Sequence, residues 1–261
     1  MAETASPTAR ARRGDPAEGA ARVWWARARD ASPDQVALLD LAERGRLAAY
    51  RRAEDRDRFL VGCALAKTAI AACTGGRPET ISFDRTCRRC GLPHGKPVVV
   101  GGGPEFSVAH SGGLVAVAVA ADPVGVDVEQ LDGRARPLGG DGDPEALARL
   151  VLAEPERAAL AEVDPSERAR AFLVAWVRKE AVTKATGDGL SAPFSQVVVA
   201  AAAGPPRVTS WPYPQAPESV SLLDLDAGPG YVAALAVLGR CEAVMPADGS
   251  VLLAARAREG A

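Results

Sequence analysis

With 261 residues and a formal net charge of −2, the chain has no global basic field to draw it onto nucleic acid or a membrane surface, so a polyanionic ligand must be met by a local basic cluster. Hydrophobic residues make up 48% of the chain, enough for a sizeable core, yet no run approaches the ~18 consecutive apolar residues of a membrane span. The odd count of five cysteines, without the charged-then-apolar start of a secretory signal, leads us to expect reduced thiols in a cytoplasm.

In chain order, residues 1–20 read as a disordered leader, and Val23-Trp24-Trp25 opens a short strand. Helical patterns cover 37–50 and 53–73, the second ended by Gly75-Gly76. A strand is expected over 80–83, then a polar loop from Cys87 to Gly95, then strands over 97–100, 105–109 and 114–121. Asp122-Pro123 is a break. Residues 124–129 alternate as a strand and lead into a Gly/Asp/Pro-rich loop over 132–143. Helices are expected from Pro144 and from about Pro155. A third should be capped by Asp164 with Pro165 first and Glu167 completing a capping box, and should end at Gly187. Strands over 194–201, 220–225 and 231–238 close the chain, with a Pro-rich loop at 204–217. The fold class is α+β: two similar α+β halves, 21–122 and 123–245, followed by a C-terminal tail over 246–261.

Strand alternation places Asp127 and Glu129 on one face of the 124–129 strand, opposite Val124, Val126 and Val128. Two carboxylates so close repel and stay ionised cheaply only around a cation. Hard oxygen donors suit magnesium or manganese. Taken alone, Asp-x-Glu is read more simply as a solvated strand face. Trp176, Glu180 and Lys184, four residues apart, share a helix face, which is also what an ordinary Glu–Lys surface pair would give. Upstream, Arg51, Arg52, Arg56 and Arg58 crowd a helix start, against the macrodipole. Either a ligand anion or the neighbouring Glu54, Asp55 and Asp57 can account for them. Having only two histidines excludes a three-His zinc site, and no P-loop or G-x-S-x-G elbow is present.

Four ordered segments carry more. They are Gly95-Lys96-Pro97, Phe106-Ser107-Val108-Ala109-His110-Ser111-Gly112, Val124-Gly125-Val126-Asp127-Val128-Glu129, and Trp176-Val177-Arg178-Lys179-Glu180-Ala181-Val182-Thr183-Lys184-Ala185-Thr186-Gly187. Together they resemble the 4′-phosphopantetheinyl transferases of the larger, surfactin-synthetase-activating type. The resemblance implies a monomeric pseudo-dimer with coenzyme A in the cleft between its halves. It implies Mg²⁺ (or Mn²⁺) held by Asp127, Glu129 and Glu180, with Glu180 as general base and Lys184 offsetting phosphate charge. Arg51, Arg52, Arg58, Lys96, Ser107 and His110 would hold the cosubstrate, and the acceptor would be a serine of an apo acyl or peptidyl carrier protein. The alternatives are a non-catalytic adaptor binding coenzyme A or a carrier, and another Mg²⁺-dependent phosphodiester enzyme. Two departures from the family's pattern are Ala109, where many members have Ser, and Val177, where a small hydroxyl residue is usual.

Cys87-x₂-Cys90-x₃-His94 has the spacing of part of a zinc knuckle. A closed site needs a fourth ligand, for which Cys63 or Cys73 would have to come close. The segment is therefore read as a reduced loop in preference to a structural zinc site.

Overall fold

The computed structural model describes residues 18–131, 144–212 and 219–259. The expected leader up to residue 17, the 132–143 loop and part of the Pro-rich loop lie outside the described residues. The elements are β1 (Ala20–Arg27), α1 (Leu41–Ala49), α2 (Ala53–Thr74), β2 (Phe83–Asp84), β3 (Val98–Val99), β4 (Glu105–Ser111), β5 (Leu114–Ala120) and β6 (Val124–Gln130). There follow α3 (Pro144–Val151), α4 (Glu154–Ala161), α5 (Arg168–Thr186), β7 (Val198–Val199), β8 (Val208–Ser210), β9 (Ser221–Leu225), β10 (Tyr231–Val237), β11 (Ala243–Asp248) and α6 (Gly249–Glu259). The architecture is α+β.

The same unit is built twice. In the first, β1 pairs antiparallel with β5, the second strand of the β4–β5 hairpin, and α2 packs against the sheet. In the second, β6 pairs antiparallel with β10, the second strand of the β9–β10 hairpin, and α5 packs against it. Each central strand divides its side chains by alternation. Val115, Val117 and Val119 of β5 belong to the α2 cluster, and Ala234 and Ala236 of β10 to the α5 cluster. The opposite faces, including Ala116, Ala118, Val126 and Leu235, form a third cluster shared by both sheets. Helices buried along most of their length explain why α2 and α5 lack a marked apolar stripe.

The two sheets meet where β4 runs beside β6. Here two hydroxyls stand in for a backbone ladder. Ser107 Oγ accepts from the Val126 N–H (3.1 Å), and Ser111 Oγ accepts from the Gln130 N–H (3.1 Å).

The halves also share a buried ion pair. In the first, Glu43 of α1 receives Lys67 of α2 at 2.7 Å, and Lys67 also donates to the Leu38 carbonyl (2.8 Å). In the second, Glu156 of α4 receives Lys179 of α5 at 2.5 Å, and Lys179 donates to the Val151 and Phe194 carbonyls (3.0 and 2.8 Å). Arg44 and Arg157, each following its Glu, both donate to a carbonyl five residues back, at 2.9 and 2.6 Å.

Several expectations need correction. α5 begins at Arg168, and Asp164 instead closes a turn by accepting from the Ser166 N–H (2.8 Å). The strand expected over 80–83 is a 3₁₀ turn followed by the two-residue β2, and the one expected over 194–201 shrinks to β7. Residues beyond 245 do not form a tail. β11 pairs parallel with β1, and α6 packs back onto the first half's core through Leu253. Leu252 and Leu253 of α6 find their burial only against this distant partner.

Candidate active site

Alternation along β6 turns Gly125, Asp127 and Glu129 away from the shared cluster and toward α5. Gly125 allows the approach. A Cβ there would stand 2.0 Å from the Ala181 carbonyl oxygen and 2.6 Å from the Ala185 nitrogen, so only a residue without one fits beneath the helix. The rotation of α5 is fixed by Arg178 and Lys179. Arg178 is fully buried and forks onto Asp224 (Nε–Oδ1 2.8 Å, Nη2–Oδ2 2.6 Å) and the Ala200 and Ala201 carbonyls. With those two residues directed into the second half, Glu180 and Lys184 are left facing β6. Trp176, on the same face one turn earlier, is buried against Phe194 and packs the core.

Lys184 Nζ donates to Asp127 Oδ1 (2.7 Å) and to the Val126 carbonyl (3.2 Å). Asp127 Oδ2 is buried and has no partner. Glu129 accepts a hydrogen bond from Ser111 Oγ (2.7 Å). Glu180 is buried beside Asp127 and Lys184, with which it interacts electrostatically.

Burial and crowding set the protonation of this group. Burial raises the Asp127 carboxyl against the lowering effect of Lys184. Burial, reinforced by Asp127, pushes Glu129 up to about 7. Burial also carries Glu180 up to about 7, with Lys184 opposing and Asp127 assisting. Burial works to discharge Lys184, but Asp127, Glu180 and Glu129 outweigh it and hold the ammonium above its ordinary range. One cation thus serves three carboxyls, two of them poised near neutrality.

A hard divalent cation fits these residues. The donors are carboxylate oxygens, one of them buried and unpartnered, and a second cation would favour the ionised forms that burial disfavours. The three carboxylates share a face without converging. Among the described residues, Cys87, Cys90 and His94 are the one trio whose ligand atoms all lie within 4.8 Å of one another. Mutual repulsion accounts for the wider spacing, because Lys184 makes its direct contact with Asp127 and acts on Glu129 and Glu180 only at longer range.

Asp127 and Lys184 also line a pocket of about 530 Å³ that reaches into the first half. Its wall carries Arg46, Arg58, Arg85 and His110, together with the rings of Tyr50, Phe59 and Phe106. Arg58 donates to the Gly112 carbonyl (2.7 Å) and pairs with Asp55. His110 keeps an exposed edge, yet the packed wall, Lys184 and Arg58 hold its imidazole below the ordinary range. The pocket is therefore a basic cleft ending at Asp127 and Lys184, on a chain with almost no net charge.

Of the residues expected to hold a cosubstrate, Arg58, His110 and Lys184 line this pocket. Arg51 and Arg52 are exposed ahead of α2 and do not line it. Lys96 ties the halves together, donating to Glu105 (2.7 Å) and to the Ala185 carbonyl (3.0 Å). Ser107 is buried with its hydroxyl committed to β6. The pocket also takes Arg46, Tyr50 and Arg85, brought in by α1 and by the β2–β3 connection, and none of the three belongs to a segment motif.

The family model of the 4′-phosphopantetheinyl transferase superfamily matches residues 123–236, which span β6, α5 and the β9–β10 hairpin. A Synechocystis protein provisionally named as a 4′-phosphopantetheinyl transferase is 30% identical over 64% of this chain and 64% of its own length. The 4′-phosphopantetheinyl transferase HetI of Nostoc is 29% identical over 79% of this chain and 81% of its own length. A Bacillus subtilis 4′-phosphopantetheinyl transferase is 28% identical over 63% and 67%. A solved holo-[acyl-carrier-protein] synthase of Thermotoga maritima aligns with 45% of the chain at 25% identity and a TM-score of 0.32, too low to bear on the fold. Over residues 123–236, the stretch that carries Asp127, Glu129, Glu180 and Lys184, the chain is similar to the 4′-phosphopantetheinyl transferase superfamily.

Proposed function

We propose that this chain transfers the 4′-phosphopantetheine arm of coenzyme A to a serine of an apo acyl or peptidyl carrier protein, as a monomeric enzyme of the larger, surfactin-synthetase-activating type. The observation that carries the reading is the juxtaposition of Asp127, Glu129, Glu180 and Lys184 with a pocket walled by Arg46, Arg58, Arg85 and His110. Coenzyme A bears about four negative charges, and guanidinium groups recognise phosphate oxygens well. The aromatic wall suits a nucleobase, and the acidic end suits the pyrophosphate together with Mg²⁺.

In this reading Asp127, Glu129 and Glu180 hold Mg²⁺, which when bound draws charge from the phosphates and orients them. The chain's own groups do the rest. The arginines fix the nucleotide phosphates. His110, neutral at working pH, donates a hydrogen bond to a phosphate oxygen. Glu180, on the helix face beside Asp127 and Lys184, takes the proton as general base. The carrier serine's hydroxyl oxygen bonds to the β-phosphorus and its proton passes to Glu180, directly or through a water. The bond from that phosphorus to the bridging oxygen breaks, and 3′,5′-ADP leaves. Lys184 stays protonated and offsets charge on the transferring group.

The test is to incubate the protein with coenzyme A, Mg²⁺ and a panel of apo carrier proteins and to weigh the carriers by mass spectrometry. The reading expects a gain of one phosphopantetheine arm together with released 3′,5′-ADP. Carriers of unchanged mass across the panel would count against it.

A further inference from the structure

The connection between β2 and β3 lends Arg85 to the pocket wall, yet its Cys87, Cys90 and His94 have no role in the transfer chemistry and form the one close group of soft ligands among the described residues. Cys87, Cys90 and His94 present their ligand atoms within 4.8 Å of one another, and Cys90 Sγ lies 3.0 Å from His94 Nε2. Sequence spacing alone allows such a trio to be scattered along a loop; here the backbone gathers it. The Gly91 N–H donates to the Cys87 carbonyl (2.8 Å) with Gly91 at φ +75°, closing a tight turn around the two cysteines. The Cys87 N–H donates to the Leu92 carbonyl (2.8 Å), and the His94 N–H to the same oxygen (2.9 Å). The chain then returns against its own start. The Gly95 N–H donates to the Arg85 carbonyl (2.7 Å), where a Cβ would meet the Thr86 carbonyl oxygen at 2.8 Å.

What this folded loop lacks is a core. No residue from 85 to 97 is buried, and Leu92, an apolar residue at its tip, is 59% exposed. A long connection with a defined path and no apolar burial needs another source of order. Order matters here because the loop contributes Arg85, Pro93 and His94 to the pocket wall, and Arg46 donates to the Pro93 carbonyl (2.5 Å).

We propose that Cys87, Cys90 and His94 bind one zinc ion that cross-links this loop and fixes the pocket wall it forms. Two thiolates and an imidazole select a borderline-soft ion and reject magnesium or calcium, and C-x₂-C followed by a nearby His is a zinc-ligand spacing. The two cysteines considered as a fourth ligand do not serve. Cys63 and Cys73 are packed in the core of the first half and are not part of the cluster. The fourth position is taken by solvent or an added anion. This site is independent of the magnesium chemistry and stands whether or not the transfer reading does.

The experiment is metal analysis of the full chain purified without chelators, followed by zinc titration against a chromophoric chelator. The expected result is close to one zinc per chain. Cys90→Ser and His94→Ala should each lower the affinity by more than the roughly 10–100-fold that loss of a supporting group costs. Cobalt added to the chelated protein should give a thiolate-to-metal charge-transfer band that Cys90→Ser removes. Circular dichroism of each variant separates loss of metal from loss of fold. His94→Ala, which keeps both cysteines, provides the reading if Cys90→Ser fails to fold. A folded wild-type chain that carries no zinc and takes none from the chelator overturns the proposal. So does a Cys87–Cys90 disulfide in protein prepared under reducing conditions.

Discussion

Replacing Gly125 with Ala tests the packing that brings β6 and α5 together. The new Cβ would lie 2.0 Å from the Ala181 carbonyl oxygen and 2.6 Å from the Ala185 nitrogen. Both are helix backbone atoms, so no rotamer change relieves the clash. Since real contacts do not fall below 3.0 Å, α5 must retreat by at least about 1 Å. Overpacking of this kind costs about 1–3 kcal/mol of stability. A shift of that size at a reacting centre costs on the order of 10²-fold in rate, because Glu180 and Lys184 move with the helix while Asp127 and Glu129 stay on the strand. Urea denaturation and the carrier-mass assay measure the two effects separately. Gly45 is the control. It lies in α1 with nothing within 4 Å of a built Cβ, so Gly45→Ala should gain roughly 0.5–1 kcal/mol at unchanged activity. A Gly125→Ala protein matching the wild type in stability and rate would refute the close approach as the basis of the site.

The buried pair between Lys179 and Glu156 predicts that Lys179→Met costs about 3–5 kcal/mol in urea denaturation by leaving a buried carboxylate without its countercharge; a loss below about 1 kcal/mol would contradict this. Arg58→Ala should weaken coenzyme A binding by about 10–100-fold, the equivalent of one charge-assisted hydrogen bond, measured by calorimetry; unchanged affinity would remove Arg58 from the phosphate contacts. Glu129 and Glu180 are each raised from 4.5 to about 7 in the fold. The stability they contribute is present below the unfolded value and is lost as pH rises through about 7. Magnesium favours the ionised forms, so its increment in Tm should be larger at about pH 8 than at about pH 6, and equal increments would contradict the assignment.

Local signals read from the sequence held where a segment's own pattern decided its structure. α2 runs Ala53–Thr74 against an expected 53–73, ended by Gly75 at φ +70°. β6 divides its valines from its carboxylates as alternation requires. The sequence failed where a distant partner decides. α6 and β11 have meaning only against α2 and β1. Arg46 and Arg85 reach the pocket without belonging to any motif themselves. Asp164 has a cap's chemistry but spends it on a turn before α5. The internal duplication left a trace too faint to find by similarity yet physically specific. Leu39 and Leu152 each stand four residues before a Glu-Arg pair, and Lys67 and Lys179 follow at nearly equal spacing to receive those glutamates. Only the buried pairs show that these residues correspond.

The central claim is that Asp127, Glu129, Glu180 and Lys184 form one catalytic centre at the end of the basic cleft. Its most direct test is transfer to an apo carrier by Asp127→Ala and Glu180→Ala beside the wild type, weighed by mass spectrometry with circular dichroism confirming the fold. The account predicts a modified carrier with the wild type in Mg²⁺ and none with either folded variant. Near-normal transfer by either variant would contradict it.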